Sequence, residues 1–374
     1  MYLNNISVIN FKNYRQANFE FSQGINCFVG HNGAGKTNML DAIHYLSFCK
    51  SYFNSFDNQN IFHDEDMFVI QGMFYKNNEQ EEIYCAQKKN DRKQFKRNKK
   101  DYDRLSEHIG LLPVVMISPT DIELIHEGSE VRRKFVDSIL SQIDPAYLTS
   151  LIEYNKALLQ RNAMLKRFYE TGKWDDTLMA IWDEQLIEKG TAIFIKRKEF
   201  TEAFTGLFEK VYAEISGSRE VANLAYSSQL TEGDYATLFA KALDKDRMVQ
   251  YTTMGIHKDD WAFLKDGHPL KKFASQGQQK SFIIALKIAQ FHFLKKLVGF
   301  PPIVLLDDIF DKLDEARVSY LIDMVTGNDF EQVFITDTSH TRMKKLLEKK
   351  EKDYRIFPIS EGSMSEVQEP DFAQ

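Results

Sequence analysis

Two hydrophobic periodicities divide the chain. At the N-terminal end, apolar positions come in short, partly alternating runs. Leu3 to Phe11 and Ala17 to Phe21 read as strands, and Ile25 to Val29 reads as a fully buried one. Met67 to Tyr75 and Glu82 to Gln87 read as a hairpin around Asn77-Asn78, and Leu111 to Ile117 as another buried strand closed by Ser118-Pro119. From Ser129 to about Gly217 the period is helical throughout. One helix is expected to start at Asp144-Pro145, a capping residue followed by a first-turn proline, to repeat Leu151, Leu158 and Leu165, and to stop at Gly172. A second, from about Asp175 to Ile215, carries Leu178, Trp182, Leu186 and Ile193 on one side. It would extend about 60 Å, with a break or bend allowed at Gly190. Strand-like patterning returns near Leu224 to Ser227 and Met248 to Met254. A helix over Lys280 to Leu297, ended by Gly299 and Pro301, then precedes buried strands at Ile303 to Leu306 and, completing the sheet, Gln332 to Thr336. The polar tail beyond Ser360 is expected to be loosely held. There are no internal repeats or low-complexity tracts.

Three short segments add chemistry to this pattern. Gly30, His31, Asn32, Gly33, Ala34, Gly35, Lys36 and Thr37 fit the phosphate-binding spacing of glycine, four free positions, glycine, lysine and a hydroxyl residue. The loop joins the strand ending at Val29 to a helix opening at Asn38, and unpaired N–H groups at such a helix start favour an anion. Lys36 is expected to reach the outer phosphates of ATP and Thr37 to ligate Mg²⁺. Ile303 to Leu306 ends in Asp307 and Asp308, so a buried parallel strand delivers two carboxylates into a crevice. Asp307 is placed to hold Mg²⁺, directly or through water, and Asp308 to polarise attacking water. Between them in the chain, Ser275, Gly277 and Gln278 stand at a helix start and offer a hydroxyl and backbone N–H groups to a second anion.

Composition narrows the class. The 374 residues are 43% hydrophobic and 27% charged, as for a soluble globular protein of about two lobes. No apolar run suggests a membrane span, and the N-terminus lacks the pattern of a signal peptide, so a cytosolic location is expected. Cys27, Cys49 and Cys85 cannot all pair and have no metal-ligand spacing. A net charge of −6 excludes bulk attraction to DNA, so any nucleic-acid contact must be local. The one dense basic run is Lys88, Lys89, Arg92, Lys93, Lys96, Arg97, Lys99 and Lys100. It reads as a solvated hairpin or as a DNA contact.

The segment Ser275 to Gln279 resembles the signature motif of the ABC ATPases, in which it grips the γ-phosphate of nucleotide held by a partner's phosphate loop. One chain offers one loop and one signature, so the resemblance implies a head-to-tail homodimer enclosing two ATP molecules. More closely, the chain is similar to the RecF family of bacterial DNA replication and repair proteins, nearly from end to end. The matching stretches are Asn10 to Tyr14, Ser118 to Asp121 with Gly128 and Arg132 to Asp137, Gly255 to Asp260, Phe273 to Lys280, and Leu305 to Asp308 with Leu313-Asp314. Thr120, Ile256 and Lys258 depart from that family's glutamate, proline and arginine. The loop at Asp121 resembles the metal-sensing loop of ABC heads, and His340 falls too late after its strand to be a switch histidine.

The resemblance implies an α/β fold: an ABC-type P-loop ATPase head, with a mixed sheet and an antiparallel β subdomain, over residues 1–118 and 245–374, and an inserted all-helical lobe over 119–244. It also implies that Lys12 contacts nucleotide. The implied function is an ATP-driven dimer that clamps duplex DNA near single-strand gaps, works with RecR and RecO in recombinase loading, and lets go on slow hydrolysis. A transporter ATPase subunit would share the motifs but normally sets its signature far closer to the phosphate loop. Here Ser275 lies 238 residues after Thr37. A P-loop kinase needs no signature, whereas another DNA-repair ATPase related to chromosome-organising proteins would share the whole set.

Overall fold

The computed structural model describes residues 1–217, 220–310 and 315–364. They form two compact units, Met1–Asp121 with Leu294–Gln374, and Ile122–Phe293. The segment Ser275 to Gln279, expected to belong with the head, falls within the second unit. Leu313-Asp314 lies outside the described residues.

The first unit holds two sheets. One is antiparallel, in the order Tyr14–Glu20, Tyr2–Phe11, Met67–Lys76, Glu79–Lys88, Gln94–Arg97, Lys100–Asp101. The other runs Ser363–Met364, Tyr354–Ser360, Ile25–Val29, Val333–Asp337, Ile303–Leu306, Val114–Ile117, and every pairing after the terminal hairpin is parallel. All residues of Ile25–Val29, Ile303–Leu306 and Val333–Asp337 are buried, which is why these strands read as largely apolar runs rather than alternating ones. The helix Lys36–Phe48 is buried at ten of its 13 residues. It is covered on most sides because one core cluster joins its Met39, Leu40, Ile43 and Leu46 to Leu3, Phe68 and Phe74 of the antiparallel sheet and to Phe28, Leu305 and Phe334 of the parallel one.

Three strand expectations need correction. The strand expected from Leu111 is Val114–Ile117. Pro113 has no N–H to give the ladder, and only its carbonyl joins, accepting from Ile303 N. The sheet does not end at Thr336. Tyr354–Ser360 adds a further parallel strand beside Ile25–Val29, and Ser363–Met364, in the tail expected to be loose, folds back on it. Only two side chains of Tyr354–Ser360 are buried and Pro358 interrupts its pattern, so the period-2 signal is faint. Finally, the strand expected at Met248 to Met254 is the end of a helix, Tyr235–Val249, and a loop. Asp234 caps that helix by accepting from Thr237 N, Asp246 is drawn inward to a buried arginine, and Met248 is left 79% exposed.

The second unit is built on the two long helices expected, Pro145–Thr171 and Asp176–Ser216. Asp144 and Asp175 cap them by accepting from Tyr147 N and Leu178 N, and Gly172 closes the first with φ 67°. The second helix is continuous through Gly190. A Cβ there would lie 2.7 Å from the Tyr235 ring, so that glycine serves close packing and not a bend. Two arginines are fully buried between the helices. Arg161 bonds Asp183 and Asp246, each at 2.6 Å, and Arg197 bonds Asp137 and Asp259. Burial on this scale is tolerable only because each guanidinium finds paired carboxylates. A three-stranded antiparallel sheet, Ala222–Ser227, Asp260–Lys265 and His268–Pro269, accompanies the helices.

Candidate functional site

The phosphate loop leaves the sheet at Gly30 and enters its helix through Gly35, whose φ of 118° no side-chained residue adopts comfortably. A Cβ on Gly35 would meet the Asn13 amide at 2.7 Å. Asn13 itself donates to Ala34 O at 3.0 Å and accepts from Asn38 Nδ2 at 2.8 Å, and Tyr14 OH donates to Gly35 O at 3.1 Å. From the other side Gly362 N donates to Ala34 O at 2.9 Å. The loop is therefore gripped by the turn after Tyr2–Phe11 and by the C-terminal hairpin, and its shape is set by protein contacts alone.

Lys36 is buried, and its ammonium donates to Gly30 O at 2.7 Å and His31 O at 2.9 Å. Burial lowers its pKa, and the nearby carboxylates of Asp308, Asp307 and Asp337 oppose that shift. Thr37 Oγ1 donates to Asp307 Oδ1 at 2.8 Å, and Thr336 Oγ1 donates to the same oxygen at 2.9 Å. Asp307 is 5% exposed; burial raises its pKa, and the two hydroxyls and Lys36 offset part of the cost. Asp308 follows with φ 47°, a left-handed conformation that a non-glycine residue holds only where the surroundings dictate it. The Thr336 hydroxyl is one such constraint, accepting from Asp308 N at 2.9 Å. Asn32, Gly33, Lys36, Thr37, Asp308 and Thr336 line one cleft of about 160 Å³.

The donor set fits Mg²⁺ and a polyphosphate. The Thr37 hydroxyl and the Asp307 carboxylate are two hard oxygens already in contact, and a buried carboxylate gains from a divalent cation. Among the described residues no group of three or more His, Cys, Asp and Glu side chains could hold a metal alone. An ion held by one hydroxyl and one carboxylate takes its other ligands from phosphate and water, the habit of Mg²⁺.

The loop residues Gly30 to Thr37, Asp307 and Asp308 are therefore brought together. Lys12 lies in the adjoining cleft, paired with buried Asp41 at 2.6 Å. Ser275, Gly277 and Gln278 belong to the other unit. Ser275 is exposed and caps the helix Gln276–Val298 reciprocally: Gln278 N donates to Ser275 Oγ at 3.3 Å and Ser275 N to Gln278 Oε1 at 2.8 Å. Gln278 also bonds Glu220. Asp121 accepts from Ser118 N at 2.8 Å and Tyr52 OH at 2.5 Å, and His340 opens a helix capped by Ser339.

Sequence reasoning passed over Thr336, Asp337, Asn13 and Gly362. The first two had a signal, because Val333 to Asp337 repeats the aliphatic run ending in acid seen at Ile303 to Asp307. In the basic run, Lys93 pairs with Asp57 at 2.9 Å, Arg97 with Glu81, Lys89 with Asp66 and Lys96 with Asp101. Half of that run is thus neutralised locally.

A model of the RecF/RecN/SMC N terminal domain matches residues 2–364. A DNA replication and repair protein RecF from Flavobacterium johnsoniae is 52% identical over 359 residues, covering 96% of this chain and 100% of that one. Its counterpart from Phocaeicola vulgatus is 49% identical over 372 residues, covering 99% of each. A solved structure of the recombination mediator protein RecF with ATPrS, of the RecFOR pathway, superposes with a TM-score of 0.87 at 32% identity and covers 97% of both chains. An Smc head bound to the C-winged helix domain of ScpA, 17% identical, covers 97% of this chain and 96% of that one with a TM-score of 0.56, and shares the fold. The phosphate loop, the paired aspartates and the signature helix are thus set in an ABC-type ATPase head, and the chain belongs to the RecF family of DNA replication and repair proteins.

Proposed function

We propose that this chain is an ATP-switched, DNA-binding homodimer of recombinational repair and replication. The observation that carries the reading is the Thr37 hydroxyl 2.8 Å from Asp307, beside a formed phosphate loop. In this reading Lys36 moves from its two carbonyl partners to the outer phosphates of ATP, with Lys12 and Gly30 to Thr37 as the rest of the nucleotide site. Thr37 and Asp307 hold Mg²⁺, which when bound neutralises phosphate charge. Asp308, held in place through its own N–H, orients water as a base. Ser275, Gly277 and Gln278 of one protomer face the nucleotide of its partner, so that ATP joins two copies head to tail. Residues 245–374 then act with 1–118 as the head, while 119–244 form the lobe.

ATP closure gathers DNA-contacting groups from both protomers onto duplex near a single-strand gap. Such contacts are mostly to phosphate, hence salt-sensitive and indifferent to sequence. Hydrolysis, weak and stimulated by DNA, releases the duplex, and RecR and RecO are the expected partners in loading recombinase. Among the described residues no helix is long and apolar enough to cross a membrane, in keeping with a cytoplasmic role.

The test is Ser275→Arg. Sedimentation with ATP should show that variant monomeric while it still binds ATP, and gel shift should show gapped duplex unshifted. A variant that dimerises normally refutes the role given to the signature.

A further inference from the structure

The first turn of the helix Gln276–Val298 holds a carboxamide with both ends engaged. Gln278 Oε1 accepts from Ser275 N at 2.8 Å, and Gln278 Nε2 donates to Glu220 Oε1. The other oxygen of Glu220 accepts from Tyr212 OH at 2.6 Å. The structure assigns Glu220 as a positioning residue of the signature: it acts through Gln278, whose orientation it fixes, and so sets the turn that is to face the partner's ATP. The inference rests on the proposed head-to-tail dimer and names a residue outside the signature on which its closure depends.

The need for such a residue lies in the chemistry of an amide. A glutamine carries an acceptor and a donor of nearly equal size, and half a turn about its last bond exchanges them. With its nitrogen toward Ser275 N, two donors would meet and the reciprocal cap would break. A carboxylate only accepts, so Glu220 takes the nitrogen end of Gln278 and leaves the oxygen end for Ser275. Its charge makes the bond stronger than one between neutral groups. The Ser275 hydroxyl is then placed by the other half of the cap, accepting from Gln278 N at 3.3 Å. Glu220 is itself held firmly. Tyr212, 1% exposed, stands on the long helix Asp176–Ser216 with its ring 6.0 Å from that of Phe208 and 5.9 Å from that of Phe282, on the signature helix. The next residue, Val221, donates from its N to Asp266 Oδ1 at 3.1 Å and accepts at its O from Asp266 N at 2.8 Å. Ser275 and Gln278 satisfy the helix cap by themselves. What the acid adds from a separate, anchored segment is a single orientation for the amide.

Sedimentation of the full chain with ATP, beside ATP titration of the monomer, tests this. Glu220→Ala should weaken the ATP-dependent dimer on the order of tenfold for each signature, hence on the order of a hundredfold for a dimer that uses two, with ATP affinity of the monomer unaltered. Glu220→Gln should dimerise as the unaltered chain does, because its amide oxygen still accepts from Gln278 and the Tyr212 hydroxyl can turn to accept. Glu220→Lys should weaken the dimer, since a donor there draws the amide oxygen of Gln278 away from Ser275; were charge alone at work, the added cation would tighten a dimer closed on phosphate. In a chain already carrying Gln278→Ala, Glu220→Ala should weaken the dimer no further, whereas a merely structural contribution would add. Normal dimerisation of Glu220→Ala, a tighter dimer in Glu220→Lys, or full additivity with Gln278→Ala overturns the inference. Where Ser275→Arg still blocks closure, such a result leaves the dimer reading standing. Normal dimerisation of Ser275→Arg overturns that reading, and the inference falls with it.

Discussion

Gly362 stands in the C-terminal hairpin with φ 71°, and a Cβ there would come within 2.0 Å of Asn13 O and 2.8 Å of its carbonyl carbon. Both are backbone atoms of the turn that holds the phosphate loop, so neither can step aside as a flexible side chain would. Gly362→Ala must therefore lift the hairpin and stretch the Gly362 N to Ala34 O bond of 2.9 Å. The left-handed conformation costs a residue with a Cβ about 1 kcal/mol, and losing a partly buried hydrogen bond costs about 1 to 3 kcal/mol more. The total is about 3 kcal/mol, roughly a hundredfold in a folding equilibrium. Gly299 is the matched control: it lies in the same compact unit, has φ 82°, and has open space where its Cβ would go. Gly299→Ala should show the conformational term alone, about 1 kcal/mol. Urea unfolding of both variants measures the difference, and ATP titration should show weaker binding only in Gly362→Ala, because only there does the support of Ala34 move. Equal destabilisation by the two substitutions, or an unaltered ATP affinity in Gly362→Ala, would refute the idea that the hairpin buttresses the loop.

Other outcomes follow from single contacts. Lys36→Ala should abolish ATP binding, whereas Asp308→Asn should bind ATP and persist as a DNA-holding dimer; a dimer lifetime by light scattering equal to that of the unaltered chain argues against Asp308 as the base. His108 is fully buried, with its Nε2 2.6 Å from Leu46 O and its Nδ1 2.9 Å from Tyr102 OH, and burial lowers its pKa from 6.5 to about 4. The folded state thus prefers the neutral ring. The stability this contributes is complete above pH 6.5 and is lost as pH falls toward 4, about 3 kcal/mol in all. His108→Gln keeps a donor for Leu46 O but not the titration. Its urea midpoint should fall less than that of the unaltered chain between pH 7 and pH 4.5, and parallel falls in the two proteins would contradict the account. His257, similarly lowered by burial, is present in both and cancels.

Legibility in the sequence followed burial. Ile25–Val29, Ile303–Leu306 and Val333–Asp337 are covered on both faces, so most positions are apolar and the strands announce themselves, with Asn26, Thr336 and Asp337 the buried polar exceptions. The long helices were legible at their ends for a different reason: Asp144, Asp175 and Gly172 act on the nearest backbone groups, and capping is a local rule. Tyr354–Ser360 had neither help. It is half-exposed, contains a proline and owes its place to register with Ile25–Val29, a partner more than 300 residues away. Gly190 shows the same limit, since its reason is the ring of Tyr235, which no window around residue 190 contains.

The site divides along the same line. A phosphate loop is readable because its function lies in the backbone, and a backbone shape is encoded by where glycines must be. Lys36, Thr37 and Asp307 then follow from the chemistry of phosphate and Mg²⁺. What holds that shape is not local. Asn13 meets Gly35 edge to edge, Gly362 bonds Ala34 from the far end of the chain, and Thr336 fixes both Asp307 and Asp308 through a single hydroxyl. That hydroxyl explains why the neighbouring strand carries threonine at its penultimate position, Thr336. Valine would fill the same space but leave Asp308 N without its acceptor and Asp307 with one donor fewer, freeing the carboxylate proposed to direct water from its left-handed constraint. Residues that touch a ligand are therefore announced by the ligand's chemistry, and those that position them are found only when the fold brings distant segments together.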